Sequence, residues 1–169
     1  MDQFWTSWQE LSVNPEDKAA RQAVVTRGET LTDSIKQKWE SLDGIGQLLD
    51  GDIEATVKQV NSYARQIADV NGEIVRSRAM GDNPNDLLDR RDLLVDKLSE
   101  LVNVTTDQRD GDEFMVHVDG KVLVQGSISR QIDVVPRYDD TGTNKLIWKD
   151  TGNDAKFSGG KLGALVELR

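Results

Sequence analysis

Apolar residues recur every three or four positions over roughly the first 100 residues, and the period then shortens to two. After Pro15 the apolar positions are Val24, Leu31, Ile35, Trp39, Leu42, Ile45, Leu49, Ile53, Val57, Val60, Ala64, Ile67 and Ile74, with Gly28 in phase. That is a helix seam of the coiled-coil kind. Gly44, Gly46 and Gly51 interrupt it, each costing a helix about 1 kcal/mol against alanine. The apolar phase nevertheless carries through them, where a true loop would reset it. The pattern predicts one very long helix from Pro15 to about Met80, with a bend placed near Gly44–Gly51. At 1.5 Å per residue it would reach roughly 100 Å. Two antiparallel helices broken at these glycines are the alternative.

The flanking signals divide the rest. Phe4, Trp5, Trp8 and Leu11 recur at helical spacing and predict a helix over about residues 2–12. It starts at the first residue with no capping residue before it, which reads as a chain cut mid-helix. Asn14-Pro15-Glu16-Asp17 is the expected start of the long helix: Asn14 to cap free N–H groups, Pro15 in the first turn, two acids at the positive end. The device recurs at Asn83-Pro84-Asn85-Asp86, after a stop at Gly81, and opens a helix over about 85–102. The residues that follow the two copies differ, so this is convergent capping and not an internal repeat. Leu87, Leu88, Leu94, Val95, Leu98, Leu101 and Val102 form its expected buried stripe, interrupted for one turn by Arg90, Arg91 and Asp92.

Beyond it, Phe114, Val116 and Val118 alternate with Met115 and His117. Asp119-Gly120 and Lys121-Val122-Leu123-Val124 follow, a hairpin signal whose turn needs positive φ at both central residues. Val104-Thr105-Thr106, Gln131–Val135 and Lys145–Lys149 read as further strands, with turns at Asp110-Gly111 and Asp139–Asn144. Ser158-Gly159-Gly160 reads as a flexible joint before a last helix that starts at Leu162. The predicted fold is α+β, mainly α: an elongated helical bundle with a very long helix plus a small antiparallel β region of hairpins. Its divisions are a helical domain over 1–103, a β region over 104–158 and a returning helix over 159–169.

Composition narrows the function classes. The net charge of -9 over 169 residues repels phosphate backbones and anionic lipids, so neither nucleic acid nor a membrane surface is an expected partner. There is no cysteine, which removes disulfides, thiolate catalysis and cysteine-based metal sites. The N-terminal residues lack the basic stretch and apolar run of a secretory signal. No apolar window approaches the length of a bilayer span.

Few residues invite a chemical role. Asp140-Thr141-Gly142 and Asp150-Thr151-Gly152 resemble the paired carboxylates of aspartic hydrolases, where two acids share a proton and activate water. Both triplets sit among polar turn formers and lie too close together for two barrel lobes, so they read as turns. A hydrolase using Asp140 and Asp150 is the alternative of a different class; it requires the two carboxylates within hydrogen-bonding distance in a closed cleft. His117, the only histidine, lacks a second soft ligand and is expected on the exposed side of its strand. Asp107, Asp110, Asp112 and Glu113 cluster around Gly111, but Arg109 occupies a position that a calcium loop would give to a ligand. Asn85–Asp92 is dense in charge, either a self-paired helix surface or a polar contact with a neighbouring subunit. No catalytic, cofactor-binding or metal-ligating residue is expected, and no cofactor.

The motifs, in order, are more specific than the chemistry. They are Phe4-Trp5-x-x-Trp8-Gln9-x-Leu11, Asn14-Pro15-Glu16-Asp17 with Ala20–Val24, and Val60-Asn61-x-Tyr63-Ala64-x-Gln66-Ile67-Ala68-x-Val70-Asn71. Then follow Pro84-Asn85-Asp86-Leu87-Leu88-Asp89-x-Arg91-Asp92-x-Leu94-Val95, Leu123–Gly126 and Gly159-Gly160-x-Leu162-Gly163-Ala164-Leu165. In this order they resemble the flagellar hook-associated protein 1 family over essentially the whole chain. The resemblance implies a secreted, non-catalytic adaptor of the extracellular bacterial flagellum, with copies forming a ring at the hook–filament junction. Its implied partners are copies of itself, the hook protein, the next junction protein and an export chaperone for the full-length protein. It also implies terminal helices and an export signal outside this stretch. Another hook-associated or flagellin-like structural protein is the nearest alternative.

Overall fold

In the computed structural model the described residues are 1–109, 113–136 and 144–169. They form α1 (Asp2–Val13), α2 (Lys18–Ala79), α3 (Asn85–Leu101), β1 (Val104–Arg109), β2 (Glu113–Val118), β3 (Lys121–Gln125), β4 (Ile128–Ser129), β5 (Ile132–Val135), β6 (Lys145–Trp148) and α4 (Gly160–Leu168). The class is mainly α with antiparallel β, as the periodicity predicts. Gly44, Gly46 and Gly51 lie inside α2, so the long-helix expectation holds over the two-helix alternative. An added Cβ at any of the three would meet nothing within 4 Å, so no packing inside this chain calls for glycine there.

The helix starts differ from expectation. α2 begins at Lys18, and its cap is Asp17, whose Oδ1 accepts from the Ala19 N–H at 2.8 Å. Asn14 instead begins a turn closed by the Asp17 N–H on the Asn14 carbonyl at 3.0 Å. Pro15 is better suited to that turn than to a helix here, because Asp17 can both close the turn and cap the helix. Asn83 does not cap α3 either: no side-chain cap bond is made, and the Leu87 and Leu88 N–H groups reach the Pro84 carbonyl. The stop at Gly81 is as expected. Its φ of 89°, the Gly81 N–H on the Arg78 carbonyl and the Asp82 N–H on the Ser77 carbonyl make a Schellman end.

Two compact units divide the chain, Met1–Gln47 and Leu48–Arg169. In the first, α1 and the start of α2 run antiparallel. Ser7 and Val24 are buried, with Phe4, Leu11, Ala20, Ala23, Gly28 and Leu31 half-buried around them. Phe4 packs beside Gly28, where a Cβ would sit 3.6 Å from its ring, an ordinary contact distance. Trp5 and Trp8 flank this contact: their rings lie 5.5 and 6.2 Å from the Phe4 ring, centroid to centroid, and both indoles stay more than half exposed.

The second unit holds the closed core. Ile53, Val57, Val60, Ala64, Ile67, Val70 and Ile74 of α2 share it with Leu94, Leu98 and Leu101 of α3 and Leu162 of α4. The sheets add Val116, Val118, Leu123, Val124, Ile132, Leu146 and Trp148. β1–β4 form one antiparallel sheet in sequential order, and β5 pairs with β6 in a second. The Asp119-Gly120 turn has φ of 47° and 76°, the two positive values that the hairpin signal requires. The two-residue strand β4 has no counterpart in the sequence expectation, being too short for any alternation to show.

The α2 stripe shares its core with α3 and also carries the strands. Asn61 bonds the main chain of β5 twice, its Nδ2 on the Ile132 carbonyl at 2.8 Å and its Oδ1 accepting from the Ile132 N–H at 2.9 Å. Asn71 Nδ2 donates to the Gly126 carbonyl at 2.8 Å. The joint at Ser158-Gly159-Gly160, expected to be flexible, is instead a close-packed corner. Gly160 has a φ of 66°, and a Cβ there would lie 2.6 Å from the backbone of Leu101 and Val102.

Candidate functional site

Of the residues flagged for chemistry, Asp150 is engaged in holding the fold. Asp150 follows β6, and its carboxylate accepts from Arg130 Nε at 2.6 Å and Nη2 at 2.9 Å. Arg130 lies over the Trp148 ring, 4.5 Å from its centroid, and also donates to the Val122 carbonyl at 3.2 Å. The hydrogen bonds from Arg130 hold the Asp150 carboxyl below its ordinary value of 3.8, and the Arg130 guanidinium is raised in turn. A carboxylate held charged by a bidentate guanidinium is a weaker base for activating water. Asp150, expected to be a plain turn residue, is thus a clamp between β6 and the segment joining β4 to β5. Asp140 lies outside the described residues.

His117 is half-buried, where the exposed side of a strand was expected. β2 is an inner strand covered on both faces, since Met115 is buried as well as Phe114 and Val116. Asp107 pairs with Arg109 at 3.6 Å, and Glu113 accepts from Gln125 at 2.9 Å. Asp110, Gly111, Asp112 and the turn over Asp139–Thr143 lie outside the described residues. Among the described residues no three His, Cys, Asp or Glu side chains come together as a metal site, and no helix is long and apolar enough to cross a membrane.

Two polar groups that sequence reasoning did not assign organise the core. Arg91 was expected to interrupt the α3 stripe but lies within it, buried, with its guanidinium 3.8 Å from the Phe114 ring centroid. A cation on an aromatic face keeps its charge at little cost, so Arg91 extends the apolar stripe of Leu94, Leu98 and Leu101. Asp119 accepts from the Ser158 N–H at 2.9 Å, from the Ser158 hydroxyl, and from Asn103 Nδ2 at 3.3 Å. Burial pushes the Asp119 carboxyl up, but the bonds from Ser158 and Asn103 outweigh it and leave the group lowered. A charged residue on the core phase of a helix, and an Asp in a turn followed much later by Ser-Gly-Gly, were the available signals.

The exposed surface of the first unit is the feature left over. Every residue of α2 from Thr32 to Asp43 is exposed on all sides, with Trp39 at 70% and Ile35 at 58%. Trp5 and Trp8 add two indoles that are more than half exposed. A bare helical stretch carrying an apolar seam has no packing to hold it, and isolated helices owe little to propensity.

The description "Flagellar hook-associated protein FlgK helical domain" matches residues 1–169. The chain belongs to this family. Flagellar hook-associated protein 1 of Salmonella typhimurium is 36% identical to this chain over 178 aligned positions, covering 100% of the chain and 32% of the relative. Flagellar hook-associated protein 1 of Bacillus subtilis is 32% identical over 126 positions, covering 74% of the chain and 25% of its own length. Among solved structures, the flagellar hook junction protein FlgK from Burkholderia pseudomallei superposes with a TM-score of 0.87 at 30% identity, over 98% of this chain and 31% of that one. The chain spans about a third of the length of the longer relatives it matches.

Proposed function

We propose that this chain is the helical-domain part of a secreted, non-catalytic junction protein of the bacterial flagellum, whose copies form a ring between hook and filament. The observation that carries it is family membership over all of residues 1–169, with relatives named as flagellar hook-associated proteins. Physical support comes from the fully exposed stretch of α2 from Thr32 to Asp43, which fits a protein that exists to be packed by neighbours. In the full-length protein, the seam around Val24, Leu31 and Ile35 is covered by further helices, as relatives three times as long would allow. The hook protein, the next junction protein and an export chaperone are its partners. No residue is catalytic; Asp150 is spent on Arg130. In this proposal residues 1–103 bear the assembly contacts, 104–158 form a surface region, and 159–169 lead back into the helical part.

The test is a deletion of the full-length gene. Cells should build hooks but fail to retain filaments, and the full-length protein supplied in trans should restore them. Normal filaments on the deletion strain would overturn the proposal. A wild-type phenotype from the full-length protein carrying Asp140→Asn with Asp150→Ala would count against the hydrolase alternative, and loss of function in a variant that still folds would revive it.

A further inference from the structure

The glycines of α2 fall into two kinds. An added Cβ at Gly28 would meet the Phe4 ring at 3.6 Å, and one at Gly72 would meet Ser127 at 3.5 Å and Arg76 at 3.7 Å. Gly44, Gly46 and Gly51 have no described atom within 4 Å of that position. The first two sit against packed neighbours. The others gather within about two helical turns. A single close-packed neighbour would not call for them either. Gly44 and Gly46 point to nearly opposite sides of the helix, two residues being about 200° of turn.

Glycine weakens a helix most where nothing else holds it. No residue of α2 is buried between Val24 and Ile53. A long helix owes its stability to a packed face more than to propensity, so a stretch without packing opens before the rest. The glycines decide where in that stretch α2 yields. On their N-terminal side Lys36, Gln37, Lys38 and Glu40 are good helix formers, and Lys36 pairs with Glu40 at 4.0 Å. On the other side Asp50 accepts from Arg169 Nη1 at 2.8 Å, which ties α2 to the end of α4. Gly51 lies behind that tie, while Gly44 and Gly46 lie in front of it.

We propose that Gly44–Gly46 is a hinge in α2, where the helix opens and bends while the core built on Ile53–Ile74 stays intact. A load that bends α2 is then taken up at these residues and not by the buried side chains beyond them. The cover proposed for Val24, Leu31 and Ile35 ends more than two turns before Gly44 and leaves the hinge free. The hinge belongs to α2 itself and needs no ring.

The test measures distances in the free full-length protein, made cysteine-free outside the labelled positions. This chain has no cysteine of its own. Spin labels at Glu29→Cys and Arg65→Cys, both exposed positions, span Gly44–Gly46. A straight α2 puts the two backbones about 54 Å apart, and a bend of about 60° at Gly46 shortens this by about 7 Å. Double electron–electron resonance should show both populations. Gly44→Ala with Gly46→Ala should deplete the shorter one about thirtyfold, the helix propensity of two alanines over two glycines. Gly51→Ala should leave it in place. A second label pair, Lys58→Cys with Arg76→Cys, reads the packed part of α2 and should give one narrow distance. A single long distance in the parent, a shorter population that survives both alanines, an equal loss from Gly51→Ala, or a second pair as broad as the first would each overturn the hinge.

Discussion

One helix supplies the sharpest comparison in this molecule. Along α2, Ile35, Trp39 and Leu42 in the first unit and Ile53, Val57 and Val60 in the second follow the same three-and-four spacing. The first set is exposed and the second buried. Periodicity therefore says which face of a helix is apolar, and nothing about whether this chain supplies the cover. The second unit adds polar pins that the first lacks: Asn61 on Ile132, Arg130 on Asp150 and Arg91 on Phe114. One region is finished within itself and the other is shaped for company.

The largest expected effect separates the two halves directly. Ile67→Ala, at a fully buried position, should destabilise the second unit by about 2–5 kcal/mol. Ile35→Ala should change stability by no more than about 0.5 kcal/mol. Urea titrations of both variants followed by far-UV circular dichroism decide it, and equal losses would erase the comparison. Next in size, Arg91→Ala should cost about 2 kcal/mol through the lost aromatic contact and buried stem. Arg91→Met should recover part of that loss, since the Arg91 Nε makes no hydrogen bond and only a 3.6 Å ion pair with exposed Asp92.

A gain is expected from the glycines. Gly44→Ala and Gly46→Ala should each stabilise α2 by about 1 kcal/mol, because the helix gains propensity and the new methyl meets nothing. The measurement is helicity at 222 nm against temperature. The smallest effect is set by pH. Arg130 holds the Asp150 carboxyl below its ordinary value of 3.8, so its stabilisation is complete above that value. It is lost as pH falls through the lowered folded value. Asp150→Asn should flatten that acid limb of the melting curve and lower stability at neutral pH; an unchanged acid limb would mean that the clamp contributes nothing.

Much of the architecture was legible because it is local. The hairpin at Asp119-Gly120 is written in two adjacent residues whose φ values the turn demands, and the end of α2 in Gly81. The start of α2 was misplaced because Asn14 and Asp17 are both competent caps, and only the closing of a turn between them decides. The pins were illegible for a different reason. Arg130 and Asp150 are 20 residues apart and Asn61 and Ile132 are 71 apart, so no periodicity relates them. Arg91 misled because a charge inside an apolar stripe normally marks a solvent face, and only the ring of Phe114 across the core reverses that. Asp150 was read as a turn former, which it is, while its partner could not be seen.

The corner at Gly160 bears on what the sequence may become over time. Two separate constraints fall on one position: a left-handed backbone and a space so tight that a single added carbon would lie 2.6 Å from the backbone of Leu101 and Val102. Most residues in a protein are held by preferences that a neighbour's change can relax. This one is held by main-chain atoms, which no neighbouring substitution can shrink. A saturation library at position 160, selected for the folded domain, should return a single letter, and any lineage that keeps α3 against α4 should keep it too.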